Sequence, residues 1–157
     1  MLPTWLGDDR IRLVAAYDPI TEACQAFKDR LGGVVCADAA QVCAHPEVDW
    51  VYVASPHGHH AQHVKLAAAH GKPVLVEKPM AIALDDAQAM VAACRAADVA
   101  LMVGHSHSFD APVLLARQII DSGAIVPASV GNDGRSASKA PRTTTIAIAV
   151  KKIAVDR

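Results

Sequence analysis

Aromatic residues supply only 4% of this 157-residue chain, while small and aliphatic side chains bring the hydrophobic fraction to 52%. The core must therefore be built from Ala, Val, Leu and Ile, which suits helices packed closely on a parallel sheet. No excess of either charge is present, since 15 basic residues face 16 acidic ones. That balance provides no basic field for nucleic acid or an anionic membrane surface. No apolar run approaches the roughly 18 residues that a membrane-spanning helix needs. Cys24, Cys36, Cys43 and Cys94 form no C-x-x-C pair and no finger spacing, so they read as reduced, mostly buried thiols. The opening MLPTWLGDDR has neither a basic n-region nor a long apolar stretch. A soluble cytoplasmic protein of one domain is the expectation, domains being about 100–200 residues long.

Two kinds of segment alternate along the chain. Arg12–Tyr17, Trp50–Ala54, Pro73–Val76 and Ala100–Gly104 read as buried strands, with Val34–Cys36 a weaker one. Ile20–Leu31, His59–His70, Leu84–Ala97 and Pro112–Ser122 carry helical spacing. Gly32 and Gly71 stand where helices should end, and Asp85 and Asp86 place negative charge in a first helical turn. The alternation predicts an α/β fold with a doubly wound parallel sheet. The strands are apolar throughout, as expected where helices cover both faces. After Gly123 the composition turns to Ser, Gly, Pro and Lys/Arg over 126–142, a loop or linker. Thr143–Val155 is β-branched and apolar, a candidate strand without an obvious partner.

Ligands of open parallel sheets bind beyond the carboxyl ends of the strands. Asp18 follows the first strand and precedes Pro19. It is placed either to accept hydrogen bonds from an adenosine ribose or simply to make a turn or helix cap. In the first role it would repel a 2′-phosphate, and no Arg follows, which favours NAD over NADP. Ser55-Pro56-His57-Gly58-His59-His60 follows the next long strand. Ser55 and His57 are candidates to donate to a nicotinamide ribose or amide; the alternative is a helix start with exposed histidines. Glu77-Lys78-Pro79 follows Pro73–Val76, and Pro79 holds a turn in which a cis bond is common. Lys78 can stabilise an alkoxide as hydride leaves, or the pair is a surface salt bridge. His105-Ser106-His107 follows Ala100–Gly104 and is either acid/base machinery or a polar loop.

Ala54-Ser55-Pro56-His57-Gly58-His59-His60, followed by Gly71-Lys72-Pro73-Val74-Leu75-Val76-Glu77-Lys78-Pro79-Met80-Ala81, resembles the glucose-fructose oxidoreductase/inositol dehydrogenase (Gfo/Idh/MocA) family. That family's pattern is T-P-N-x-x-H, then A-G-K-H-V-x-x-E-K-P. The likeness runs from about Arg10 to Gly123. The histidines at 57, 60 and 63 and the stretch Gly104–Asp110 are similar to phthalate dihydrodiol (dihydroxyphthalate) dehydrogenases. The resemblance implies a Rossmann domain, NAD(P), hydride transfer at a carbinol carbon of a small-molecule substrate, and homo-oligomers among full-length members. It implies that Asp18, Ser55, Pro56, His57, His60, Glu77 and Lys78 line the cofactor cleft. It makes Lys78, with His105 and His107, the catalytic candidates, and no metal is implied. His57 replaces the usual Asn and Ser55 the usual Thr.

The chain also departs from that pattern. It contains no G-x-G-x-x-G and no D-x-x-x-H, and the likeness stops after Ile125. The expectation is an incomplete Rossmann domain over 1–123, lacking its first strand and glycine loop, with 124–157 a divergent tail or linker. Without those backbone amides, weak or no NAD binding by this chain alone is expected. Without a central strand, Arg12–Tyr17 and Trp50–Ala54 would each carry an unpaired edge, at about 1–3 kcal/mol per buried group. Either these strands close on each other or Thr143–Val155 enters the slot. Two other readings compete: a zinc hydrolase using His105-x-His107 or His59 and His63, and a non-catalytic remnant.

Overall fold

The structure is a computed structural model that describes residues 8–123 and the backbone of 147–152. Its sheet contains β1 (Ile11–Tyr17), β2 (Val34–Val35), β3 (Trp50–Val53), β4 (Val74–Val76), β5 (Leu101–Val103) and β6 (Ala147–Lys152). The helices are α1 (Thr21–Leu31), α2 (Ala39–Ala44), α3 (His60–Ala69), α4 (Leu84–Ala96) and α5 (Ala111–Asp121). The strand order is β2-β1-β6-β3-β4-β5. The chain thus winds outward from β1 in one direction and from β3 in the other, the doubly wound arrangement expected from the sequence.

β1 with β2, β3 with β4, and β4 with β5 pair in parallel. β6 differs: it runs antiparallel to both neighbours, matching Tyr17 and Val53 at Ala147 and reaching Ile11 at Lys152. The candidate strand within Thr143–Val155 therefore lies between β1 and β3 and satisfies the two edges that would otherwise face each other unpaired. Direction is secondary to this role, because an antiparallel strand offers the same alternating donors and acceptors. The sheet is mixed rather than wholly parallel for that reason. The register slips once, between Leu13 and Ala15.

Small aliphatic side chains fill the core, as the composition requires. On one face, Val14, Val51, Val53, Val74 and Val76 pack with Val64, Ala67 and Ala68 of α3 and with Met90 and Cys94 of α4. On the other, Phe27 of α1 packs with Leu13, Ala16 and Tyr52. Gly33 lets the Phe27 ring approach: a Cβ there would lie 2.6 Å from Phe27 Cε1. All four cysteines are buried and free. α1 ends at Gly32 with φ of 68°, a left-handed cap that glycine adopts without a Cβ penalty.

The sequence reading omitted α2, a helix of six residues. Its start is nonetheless encoded, for Asp38 Oδ1 accepts from Gln41 N at 2.8 Å. The expected helix from His59 divides into a 3-10 turn (His57–His59) and α3. The described residues fall into two compact units, 8–104 with 147–152, and 105–123. The second holds a 3-10 turn (Ser106–Phe109) and α5, which begins with Pro112 in its first turn. The loop expected over 126–142 and the opening residues 1–7 lie outside the described residues. Among the described residues, no helix is long and apolar enough to cross a membrane.

Candidate functional site

The parallel register brings several strand ends to one level. Val53 matches Val76, and Val76 matches Val103. Glu77 N donates to Val53 O at 2.9 Å and Gly104 N to Val76 O at 2.8 Å. Ala147 stands level with both Tyr17 and Val53. Asp18, Ser55 and the Glu77-Lys78 pair therefore emerge along one rim of the first unit, on either side of the position where the winding reverses.

Asp18 is buried, with 5% of its surface exposed. Its Oδ1 accepts from Ile20 N at 2.8 Å, the local turn bond that Asp and Asn favour. Among the described residues, its Oδ2 is buried without a hydrogen-bond partner. Burial pushes this carboxyl above its ordinary range, and the Ile20 bond offsets only part of the effect. Such an orphaned acceptor costs stability unless a donor meets it. Both readings of Asp18 thus have a structural counterpart: one oxygen makes the turn, the other stands unused.

Two histidines of α3 hold Ser55. His63 Nδ1 lies 2.7 Å from Ser55 Oγ, and His60 Nε2 lies 2.6 Å from Ser55 O. The other ring nitrogen of His60 faces Pro79 O at 3.0 Å and Met80 O at 3.3 Å. His60 is fully enclosed and spans the loops after β3 and β4. Both of its nitrogens face main-chain carbonyls, so its influence on a ligand runs through those loops. Pro56 and His57 are exposed, and the His57 ring meets that of His60 edge-on at 5.5 Å.

Glu77 turns away from its neighbour's charge. Its Oε1 accepts from Tyr52 OH at 2.6 Å, and its Oε2 from Lys78 N at 3.2 Å. Burial first, and the Glu77 carboxylate second, hold the Tyr52 phenol above its ordinary range. The Lys78 side chain is exposed and makes no ion pair among the described residues. The Lys78-Pro79 peptide bond is cis.

Comparison with known proteins gives this rim its context. The family described as "Oxidoreductase family, NAD-binding Rossmann fold" (Gfo/Idh/MocA) matches residues 2–105. The chain belongs to this family. It is 47% identical over 124 residues, 78% of its length, to a 1-carboxy-3-chloro-3,4-dihydroxycyclohexa-1,5-diene dehydrogenase of Comamonas testosteroni, of which it covers 31%. It is 34% identical to an inositol 2-dehydrogenase of Ralstonia nicotianae, over 76% of the chain and 36% of that protein. Among solved structures, the WlbA dehydrogenase from Bordetella pertussis in complex with NADH and UDP-GlcNAcA superposes with a TM-score of 0.69 at 31% identity. That match covers 71% of this chain and 32% of the other. The chain thus spans about a third of the length of these Gfo/Idh/MocA proteins.

His105 follows Gly104 in the chain and begins the second unit. There, its carbonyl accepts from Ser108 N at 3.0 Å, and His107 Nδ1 lies 2.8 Å from Asp110 Oδ2, both side chains exposed. His59 and His63 stack with centroids 6.0 Å apart. Among the described residues, no group of three or more His, Cys, Asp or Glu is arranged to hold a metal ion. Two roles escaped the sequence reading. One is Tyr52, whose signal was a phenol within an apolar strand, where a buried hydroxyl needs a partner. The other is the bond from His63 to Ser55, eight residues apart, which no spacing rule announces.

Proposed function

We propose that this chain is the cofactor-handling portion of an NAD-dependent dehydrogenase that oxidises a carbinol carbon of a small molecule, a cis-dihydrodiol of the phthalate type. The observation that carries the cofactor reading is the unused, buried Oδ2 of Asp18. A ribose diol would supply the hydrogen bond this oxygen lacks, whereas a 2′-phosphate would bring a second negative charge to it. NAD is favoured over NADP on that ground. A dinucleotide lying across the reversal point would set its other nucleoside near Ser55 and Lys78. The nicotinamide ring, when bound, supplies the hydride acceptor. Lys78 would hold the substrate hydroxyl and stabilise the developing alkoxide by charge, a role its unpaired ammonium leaves open. His105 and His107 remain candidates for the accompanying proton transfer. The substrate class rests on the likeness to the Comamonas testosteroni protein, whose name specifies a carboxylated dihydroxycyclohexadiene.

The residues fit the two nucleosides better than the pyrophosphate between them, because the chain has no G-x-G-x-x-G to present backbone amides. The expected affinity is therefore weak, a Kd on the order of 1 mM, equivalent to about 4 kcal/mol. Amide shift perturbation in the 15N-labelled full chain tests this. NAD should perturb residues around Asp18 and Ser55, NADP should do so less, and Asp18→Ala should remove the response at the Asp18 end. Equal responses to NAD and NADP, or none to either, would count against the assignment.

A further inference from the structure

We propose that His63 is a positioning residue that turns Ser55 into a hydrogen-bond acceptor toward the cofactor, so that the rim selects a carboxamide-bearing nicotinamide ring over its carboxylate analogue. This inference rests on the cofactor reading above and reverses the donor role that sequence alone suggests for Ser55.

The argument begins with what the Ser55 hydroxyl can reach. The residue is buried, with 6% of its surface exposed. Among the described residues, its hydroxyl has one hydrogen-bond partner, His63 Nδ1 at 2.7 Å. A serine hydroxyl has one hydrogen to give and two lone pairs to receive. If His63 Nδ1 carried a proton and donated to Oγ, the Ser55 hydrogen would need another acceptor in nearly buried surroundings, and none is present among the described residues. If Nδ1 is unprotonated, Ser55 donates to it and both groups are satisfied. Burial first, then the neighbouring charges of His59 and His60, hold His63 below its ordinary value, which disfavours the doubly protonated ring and leaves one nitrogen bare. The unmet hydrogen of Ser55 then decides which nitrogen that is. The Ser55 carbonyl is fixed independently by His60 Nε2, which limits rotation of the residue as a whole.

With its only hydrogen committed to His63, Ser55 has lone pairs left to offer. The group that complements them is an N–H or O–H donor. A primary carboxamide has two N–H donors, whereas the carboxylate of a nicotinic acid ring has none and would set oxygen lone pairs against Oγ.

Two measurements on the full chain decide the matter. The first is a long-range 1H–15N spectrum of the histidine rings at pH 7.5. His63 should appear with Nε2 protonated and Nδ1 bare, its Nδ1 resonance shifted by the Ser55 bond. Ser55→Ala should return that resonance to its unbonded position, while the amide spectrum shows the fold retained. A protonated Nδ1 in the wild-type chain, or an Nδ1 resonance indifferent to Ser55→Ala, would overturn the assignment of Ser55 as acceptor. The second is a comparison of NAD with nicotinic acid adenine dinucleotide by the same amide titration. The wild type should prefer NAD by about tenfold, the scale of one hydrogen bond, and His63→Leu should erase most of that preference. Equal binding of the two by wild type would refute the selectivity. If neither dinucleotide binds, the cofactor reading fails and the selectivity fails with it, while the ring-nitrogen spectrum still decides which partner holds the proton.

Discussion

Tyr52 donates its phenolic hydrogen to Glu77 Oε1 across 2.6 Å, tying the middle of β3 to the first residue after β4. Glu77 is thereby held by a neighbouring strand and by the Lys78 backbone amide rather than by the Lys78 ammonium, which makes no ion pair among the described residues. Tyr52→Phe removes the donor and leaves a half-buried carboxylate with one partner fewer. The expected cost is about 1–2 kcal/mol, toward the lower end for a bond to a charged group because Glu77 retains some solvent. Urea unfolding would measure it. A companion titration of tyrosine absorbance should show, in the wild type alone, a phenol that resists ionisation at pH 10. An unchanged midpoint in Tyr52→Phe would show that the bond contributes nothing net.

Asp18→Asn should behave in the opposite sense. The wild-type carboxyl has its pKa raised in the folded state, chiefly by burial. The folded chain therefore binds more protons than the unfolded chain between the ordinary value near 3.8 and the raised one. Stability is greatest below that window and is lost as pH rises through it. An amide keeps an oxygen for Ile20 N and removes the buried charge. At pH 7 the variant should be more stable than wild type by roughly 1 kcal/mol, because the buried charge is removed and the unpartnered Nδ2 that replaces Oδ2 is neutral and costs less. The advantage should shrink at pH 3.5. Urea midpoints at both pH values test this, and a less stable Asn variant at pH 7 would refute it.

His63 gives a second pH dependence with its own sign. Its folded-state pKa lies below the ordinary 6.5, first because of burial and then because of His59 and His60. As pH falls through 6.5 the unfolded chain takes up a proton that the folded chain refuses, so stability declines. His63→Leu should flatten the loss between pH 7 and the depressed value. Thermal melts across pH 5–7.5 would reveal it as a smaller drop in Tm for the variant. Parallel curves would mean that the acid sensitivity originates in other groups.

Much of this architecture was legible because it is written locally. β1, β3, β4 and β5 are short apolar runs bounded by turn residues, and Gly32 and Gly71 marked two helix ends. Strand termini then placed Asp18, Ser55 and Glu77-Lys78 along one rim by topology alone. The short helix α2 was overlooked because six residues carry too little periodicity, although Asp38 and Gln41 supplied its start signal. The pairing of Tyr52 with Glu77 and of Ser55 with His63 depends on side-chain reach between elements, which no one-dimensional pattern encodes. Direction of pairing escaped the sequence too: Thr143–Val155 reads as a candidate strand, but nothing in its composition tells whether it would run with its neighbours or against them.

That antiparallel strand leads to the most demanding expectation. β6 is paired on both sides, with β1 across Ile11–Tyr17 and with β3 across Trp50–Val53. If it is an integral part of the sheet, the amides of β1 and β3 that point toward it should exchange as slowly as those of β3 and β4 that pair with each other. Ala149→Pro is the sharp test, because Ala149 matches Ala15 on one side and Val51 on the other. Proline removes a ladder donor and is poorly tolerated in a central strand. The variant should lose protection in β1 and β3 together, while the β4–β5 ladder is affected least. It should also lose at least ~3 kcal/mol of stability, the scale of a proline that breaks regular structure. That is a large part of the ~5–15 kcal/mol that holds a domain of this size. If β1 and β3 already exchange freely in the wild type, or if Ala149→Pro leaves their protection unchanged, then β6 is not what closes the gap between them.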